Sequence, residues 1–249
     1  MRTQSLGRVL VIVPTYNELE NVRIITREIR SQEPDIDILI VDDNSPDGTG
    51  EVADQIAATD SKISVLHRSQ KAGLGAAYLE AFTWAKQANY DVVVEMDADG
   101  SHRAVDLSKI LDAVSDNDVV LGSRWVPDGH VVNWPITRKL LSRGGNIYTR
   151  IWLGIPIKDA TGGFRAYRMT ALDAMDISNV ESQGYCFQVD MAWRAVKSQL
   201  RVAEVPITFV EREIGESKMS QAIIKEALWR VTQWGIAKRT SELRRVFGR

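Results

Sequence analysis

The sequence predicts an α/β protein with a mostly parallel central sheet and helices on both faces, and three observations carry that expectation. Short apolar runs recur along the first half of the chain, each separated from the next by an amphipathic stretch of helical length. Several runs are apolar without interruption, as in strands covered on both sides. Polar clusters follow the runs directly, at the carboxyl ends of strands, where ligands bind in such sheets.

Val9-Leu10-Val11-Ile12-Val13 reads as the first strand, with a loop at residues 14–18 and a helix to about residue 31. Residues 36–41 form a second apolar strand. The Gly/Asp/Ser/Pro cluster at 42–48 breaks it, and a helix follows over 49–58. Residues 63–67 read as a third strand, and 76–87 as a helix opened by the turn at Gly73 and Gly75. A fourth strand over 92–96, a helix over 107–115 and a fifth strand over 118–122 complete the alternation. One large domain over residues 1–219 accounts for this pattern, leaving 220–249 as a basic amphipathic helical segment.

The 249 residues are 44% hydrophobic and 26% charged, as in an ordinary folded globule. The single cysteine, Cys186, cannot make an internal disulfide, and the chain starts into a strand instead of a cleavable apolar segment. A reducing, cytoplasmic setting is therefore expected. No run approaches the roughly 18 to 20 apolar residues that span a bilayer.

The net charge of -2 conceals an asymmetry. Residues 129–158 hold no acid but carry Arg138, Lys139, Arg143, Arg150 and Lys158; residues 225–249 hold seven basic residues against Glu226 and Glu242. Both stretches are rich in large apolar residues, including Trp134, Trp152, Trp229 and Trp234. Basic and tryptophan-bearing helices suit an anionic lipid surface, although the same pattern also describes helices that pack one face on a core. Nucleic acid is not an expected partner, because the remainder of the chain is acidic and no reading motif is present.

Asp97-Ala98-Asp99, directly after the apolar run Val92-Val93-Val94-Glu95-Met96, carries the most chemistry. In an extended segment residues i and i+2 share a side, so two carboxylates are aimed together where the strand ends. A hard divalent cation, Mg²⁺ or Mn²⁺, offsets their repulsion and takes phosphate oxygens as its remaining ligands. His102 reads as a surface or hydrogen-bonding residue, not as a ligand. Three other polar groups fall at strand ends: Tyr16 with Asn17 and Glu18, Asp42 with Asp43, and Arg124.

Val13-Pro14-Thr15-Tyr16-Asn17-Glu18, Val41-Asp42-Asp43-Asn44-Ser45-Pro46-Asp47-Gly48-Thr49, Met96-Asp97-Ala98-Asp99, Gly122-Ser123-Arg124 and Gly215-Glu216-Ser217-Lys218 occur in this order. In that respect the chain resembles the family 2 glycosyltransferases, and more narrowly the polyprenol (dolichol) phosphate mannose synthases, from about residue 9 to residue 219. The resemblance implies a GT-A, Rossmann-like fold, GDP-mannose as donor, a divalent metal and a polyprenyl phosphate acceptor. It places Pro14, Tyr16, Glu18, Val41 and Asp43 around the nucleoside. Asp97, Ala98 and Asp99 fall at the diphosphate, Asp99 being the chief metal ligand and Asp97 assisting. Arg124, Arg212 and Lys218 match basic positions that hold donor phosphates or reacting groups. Where the family often carries Gln as a further metal ligand this chain has Ser101, whose shorter side chain leaves room for water.

The same resemblance makes Arg138, in Asn133-Trp134-Pro135-Ile136-Thr137-Arg138, the residue that grips the acceptor phosphate, with Ser217 beside it. It implies a single displacement with inversion at the anomeric carbon. A phosphate monoester has a second pKa near ~6, so the acceptor needs no general base. Asp159-Ala160-Thr161-Gly162-Gly163-Phe164-Arg165 is similar to a short family motif in which a small-residue turn brings backbone near the sugar or acceptor. Residues 212–218 read as a basic loop, mobile without ligand, that closes over phosphates. Because the acceptor is a lipid, the protein is expected to work as a peripheral protein at the cytoplasmic membrane face. Residues 225–238 would lie on the lipid or dock onto a membrane-anchoring partner.

Three rival functions stay open on sequence alone. A family 2 enzyme with another donor, such as a polyprenyl-phosphate glucose synthase, shares the motifs, and so would a sugar-nucleotide-binding module without turnover. Ile38-Leu39-Ile40-Val41-Asp42-Asp43-Asn44 also resembles the acidic pocket of receiver-type signalling domains, but that run is the second strand here and the chain is about twice as long as a receiver needs.

Overall fold

A computed structural model describes residues 6–180, 185–212 and 221–247. The expected alternation is present: β1 (Val9–Thr15), α1 (Asn21–Gln32), β2 (Asp37–Asp42), α2 (Thr49–Ala57), β3 (Ile63–His67), α3 (Leu74–Gln87), β4 (Val92–Glu95), α4 (Leu107–Val114) and β5 (Val119–Ser123). The second half adds β6 (His130–Val132), α5 (Ile136–Leu153), β7 (Arg165–Arg168), α6 (Met169–Ala174), α7 (Tyr185–Lys197), β8 (Val202–Pro206), β9 (Thr208–Val210) and α8 (Gln221–Phe247).

The main sheet runs β3-β2-β1-β4-β7-β5-β8, and every neighbouring pair is parallel except those of β7, which is antiparallel to both β4 and β5. Strand periodicity divides the core in two. Val9, Val11 and Val13 face α1, α2 and α4 through Ile25, Ile29, Ala53 and Ile110; Leu10 and Ile12 face α3 and α7 through Tyr78, Phe82 and Phe187. All these side chains are nearly inaccessible, which is why β1 and β2 read as unbroken apolar runs.

Two departures from simple alternation shape the site. Because β7 runs against its neighbours, its first residue, Arg165, pairs with Glu95 at the end of β4 and with Leu121 of β5. The Asp159-to-Phe164 turn is thereby delivered to the sheet edge that carries the strand-end acids. The small parallel sheet of β6 and β9 stands over the same edge, tied down by Ile207 N–H to Ser123 O at 3.2 Å and Val210 N–H to Ser101 O at 3.1 Å.

α8 docks on the domain. Trp234 stacks on Trp193 of α7, and Lys238 Nζ donates to Leu153 O at 2.7 Å at the end of α5. A Cβ at Gly235 would lie 2.8 Å from the Trp152 ring and its carbonyl oxygen, so only glycine lets α8 approach α5 this closely.

Candidate active site

The acid pair sits in a loop, not in a strand. β4 ends at Glu95, one residue before the expected boundary, so strand alternation does not aim the two carboxylates. A tight turn does. Gly100 adopts φ 73°, a conformation that side chains disfavour, and this reversal lets Ser101 N–H donate to Asp99 Oδ1 at 3.0 Å. His102 secures the other side: its Nδ1 accepts the Asp97 N–H at 3.1 Å while the ring stacks on Phe164. The imidazole is buried, not at the surface. Burial pushes it below its ordinary pKa against the pull of Asp97 and Asp99, and an accepting Nδ1 puts the single proton on Nε2.

The Asp99 side chain is 7% exposed, and Arg212 Nη2 lies 3.1 Å from its Oδ2. Burial works against ionisation there, but hydrogen bonding from Ser101 and the Arg212 charge outweigh it and hold the carboxyl below its usual value. The Ser101 hydroxyl is buried beside the Asp99 carboxylate and bonds to no other group. Two carboxylates and a buried hydroxyl are hard oxygen donors, and they fit Mg²⁺ or Mn²⁺ with Asp97, Asp99 and Ser101 as the residues that would hold it.

The residues expected around a nucleoside stand on the loops after β1, β2 and β3. Pro14 pairs in register with Val41, and the two loops are stitched by Asp43 N–H to Thr15 O at 3.1 Å and Glu18 N–H to the Thr49 hydroxyl at 3.0 Å. Asp42 turns inward to accept from Ser45 and Thr15. Asp43 instead pairs with Arg68, whose Nε also reaches Glu80 at 2.8 Å, and burial pushes the Asp43 carboxyl up despite that partner. Lys71 Nζ lies 3.8 Å from the centre of the Tyr16 ring. Arg68 and Lys71 were not among the expected site residues. Their place in Arg68-Ser69-Gln70-Lys71-Ala72-Gly73, at the carboxyl end of a strand, was the signal available.

Arg124 follows β5 and is almost fully buried. Asp159, fully buried, takes its Nε and Nη2 in a two-pronged bond at 2.7 Å each and its backbone N–H at 2.9 Å; Thr161 and Asn146 complete the cluster. Burial opposes charge on Asp159, yet Arg124 holds its carboxyl below the ordinary value. Trp134, Trp125 and Phe209 surround the guanidinium, so Trp134 is a buried wall here and not part of the exposed surface. Asp159 as the clamp on Arg124 was not legible in the sequence.

Under the acid pair lies a second buried cluster. Arg165 donates to the carbonyls of Gly162, Ala160 and Gln188, while the fully buried Glu95 accepts from Gln188 Nε2 at 2.9 Å. Burial pushes Glu95 up to about 8, so its carboxyl is mostly protonated at neutral pH. In the unfolded chain the group titrates near 4.5. Glu95 therefore favours the folded state fully below that value, loses this contribution as pH rises towards 8, and changes nothing further above it. Chemical denaturation of the wild type should show a decline of a few kcal/mol across that window, and Glu95→Gln should abolish it.

Arg138, in the first turn of α5, pairs with Glu211 and lies 4.1 Å from the Trp134 ring centre; its Nε is buried without a partner. Beside it opens a cavity of about 410 Å³ between α5 and α8. Arg124, Arg138 and Thr161 stand among its lining, and Leu141, Tyr148 and Val231 make an apolar wall. Ser217 and Lys218, and with them the expected mobility of residues 213–218, lie outside the described residues.

Residues 10–175 match the family model described as Glycosyl transferase family 2. The chain is 52% identical over 241 residues to an undecaprenyl-phosphate mannosyltransferase of Micrococcus luteus, covering 97% of this chain and 99% of that one. It is also 52% identical over 241 residues to a polyprenol monophosphomannose synthase of Mycolicibacterium smegmatis, covering 96% and 91%. Among solved structures, glucosyl-3-phosphoglycerate synthase of Mycobacterium tuberculosis with Mn²⁺, UDP-glucose and phosphoglyceric acid superposes with a TM-score of 0.65 at 17% identity, over 93% of this chain and 84% of that one. A mannosyltransferase of Pyrobaculum calidifontis in complex with GDP-Man and Mn²⁺ gives 0.58 at 19% identity; 94% of this chain is covered, and the chain spans 64% of that structure's length. These likenesses establish the GT-A fold. With more than half of its length inside the family's span and half of its residues shared with full-length relatives, the chain belongs to glycosyl transferase family 2 and is a glycosyltransferase.

Proposed function

We propose that the protein transfers mannose from GDP-mannose to a polyprenyl phosphate with the help of Mg²⁺ or Mn²⁺, giving polyprenyl β-D-mannosyl phosphate and GDP. One observation carries this reading. An apolar cavity between two helices opens onto Arg138 and Arg124, and the Glu211–Arg212 step links Arg138 to the acid pair through direct contacts. An isoprenoid tail suits such walls and a phosphate such arginines. The relatives' names support the same acceptor class and the same sugar.

In this reading Tyr16, Glu18 and Asp43, with Pro14 and Val41 behind them, hold the nucleoside, and Lys71 adds a cation over Tyr16. A divalent cation held by Asp97, Asp99 and Ser101 would neutralise charge gathering on the departing diphosphate. Arg212 and Lys218 turn to the donor phosphates. Arg138 and Ser217 hold the acceptor phosphate while Arg124, fixed by Asp159, faces it across the cavity. An acceptor oxygen bonds to the anomeric carbon as the bond to the diphosphate breaks from the opposite side, and no proton has to be removed. Incubation with Mn²⁺, polyprenyl phosphate and a panel of nucleotide sugars tests the reading. GDP release and a β-linked mannosyl lipid with GDP-mannose are the expected result; equal turnover of UDP-glucose, or no turnover of any donor, would count against it.

No described helix is long and apolar enough to cross a membrane. A lipid acceptor can be met at a surface, and α5 offers one. Ile136, Leu140, Ile147 and Ile151 are all more than half exposed and fall on one stripe, flanked on the same side by Lys139, Arg143 and Arg150. Trp229 and Ile236 of α8, 64% and 52% exposed, extend the apolar area. Anionic lipid complements such a face, whereas a separate anchoring protein has no observation in its favour. Ile147→Glu with Ile151→Glu should lower partition onto anionic vesicles by about tenfold or more, since each side chain forfeits roughly 1 kcal/mol of apolar transfer. Sedimentation with vesicles measures it, and an unchanged partition would exclude α5 as the contact.

A further inference from the structure

The two arginines assigned to opposite substrates are each neutralised by a carboxylate, and a single dipeptide supplies one partner to each side. Glu211 pairs with Arg138, while Arg212, the next residue, pairs with Asp99 at 3.1 Å. The backbone around them is anchored on both flanks: Val210 N–H donates to Ser101 O and Glu211 N–H to Val132 O, each at 3.1 Å. The acceptor side also holds a buried polar atom with no hydrogen-bond partner, Arg138 Nε by the cavity. Such an orphan marks a place where a ligand atom completes the bonding.

We propose that Glu211 and Arg212 are internal stand-ins for the two substrates' charges, the Glu211 carboxylate holding the place of the acceptor phosphate on Arg138 and the Arg212 guanidinium that of the cation on Asp99. This rests on the assignment of Asp99 to the cation and of Arg138 to the acceptor phosphate. It adds a consequence that assignment does not contain. Because the two residues are consecutive on a segment pinned at Val210, displacement of one loosens the other, and each ligand favours entry of its counterpart. The coupling is reciprocal, as any equilibrium linkage is. The same pairs keep Asp99 and Arg138 from lying uncompensated in a largely buried site.

Titration calorimetry of the full-length protein tests this without turnover, using Mn²⁺ alone, citronellyl phosphate as a short prenyl monoester, and inorganic phosphate. Arg212→Gln should tighten Mn²⁺ binding about fivefold in the absence of nucleotide, and Glu211→Gln should tighten citronellyl phosphate by a similar factor. In the wild type Mn²⁺ should strengthen citronellyl phosphate binding by about fivefold or more, and in Glu211→Gln that enhancement should vanish. Simple attraction between a bound cation and a bound anion would leave it intact in the variant, and this outcome overturns the proposal, as does unchanged or weakened Mn²⁺ binding in Arg212→Gln. Inorganic phosphate separates recognition of the headgroup from that of the prenyl chain: tightening of both monoester and inorganic ion in Glu211→Gln supports the exchange at Arg138, and tightening of neither refutes it. If instead these couplings hold while no nucleotide sugar is turned over, the stand-in arrangement survives and the assigned reaction fails.

Discussion

Asp99→Asn should lower kcat/KM for the nucleotide sugar by about 10²- to 10³-fold while leaving the fold intact. The substituted amide keeps the size of the side chain and an oxygen able to accept the Ser101 N–H, which lies 3.0 Å from Oδ1. What it loses is charge in a place only 7% exposed, where an ionic contact is weakly screened. A diphosphate gains charge as the glycosidic bond breaks, so the deficit falls on the transition state, and a group of this kind contributes roughly 3 to 4 kcal/mol there. Excess Mn²⁺ should restore little of the rate, and the thermal midpoint should stay close to that of the wild type. Steady-state kinetics with a melting curve separate the two effects; a rate within a few-fold of the wild type would remove Asp99 from the chemistry.

Asp159→Ala should have the largest effect on stability, about 3 to 5 kcal/mol, because it strands the Arg124 guanidinium without a counter-charge in a nearly closed aromatic box. In a domain of this size that corresponds to a fall of roughly 10 °C in melting temperature. The loss includes more than one contact, since Asp159 also accepts the Arg124 N–H and lies within reach of Asn146 and Thr161. Asp159→Asn, which keeps the shape but not the charge, should be milder in stability yet still impair turnover, because Arg124 would no longer be fixed towards the cavity. Asp159→Glu cannot place both oxygens at 2.7 Å from the same two nitrogens and should not rescue either. Denaturant titration checks the first expectation, and a loss under 1 kcal/mol for Asp159→Ala would show that the arginine finds another partner.

The parts of the fold that were legible in the sequence are those where one period governs a whole segment. The strands from β1 to β5 and their helices fell within a residue or two of their expected limits, since buried parallel strands leave unbroken apolar runs. β7 left no such trace. Four residues, Arg165-Ala166-Tyr167-Arg168, are placed by tertiary pairing on both edges, and two of them are arginines that each donate to a carbonyl group of a distant segment. The candidate site divides the same way. Asp97 and Asp99 stand out by their spacing, but the agent that aims them is a glycine turn and a buried histidine five residues on. The clamp on Arg124 comes from 35 residues away and the partners of Arg138 and Asp99 from further still, so no local pattern could announce them. Of the tryptophans in the basic stretches, Trp134 is a core wall and Trp234 half-buried against Trp193, while Trp229 stays exposed; composition cannot tell these apart.

The most direct test of the account is a crystal soaked with Mn²⁺ and GDP, measured for the anomalous signal of manganese. A peak bonded to Asp99 and bridging to the diphosphate, with the Arg212 guanidinium drawn off the carboxylate, is the expected result. Density for GDP with no anomalous peak beside the acid pair, and Arg212 still on Asp99, would contradict it.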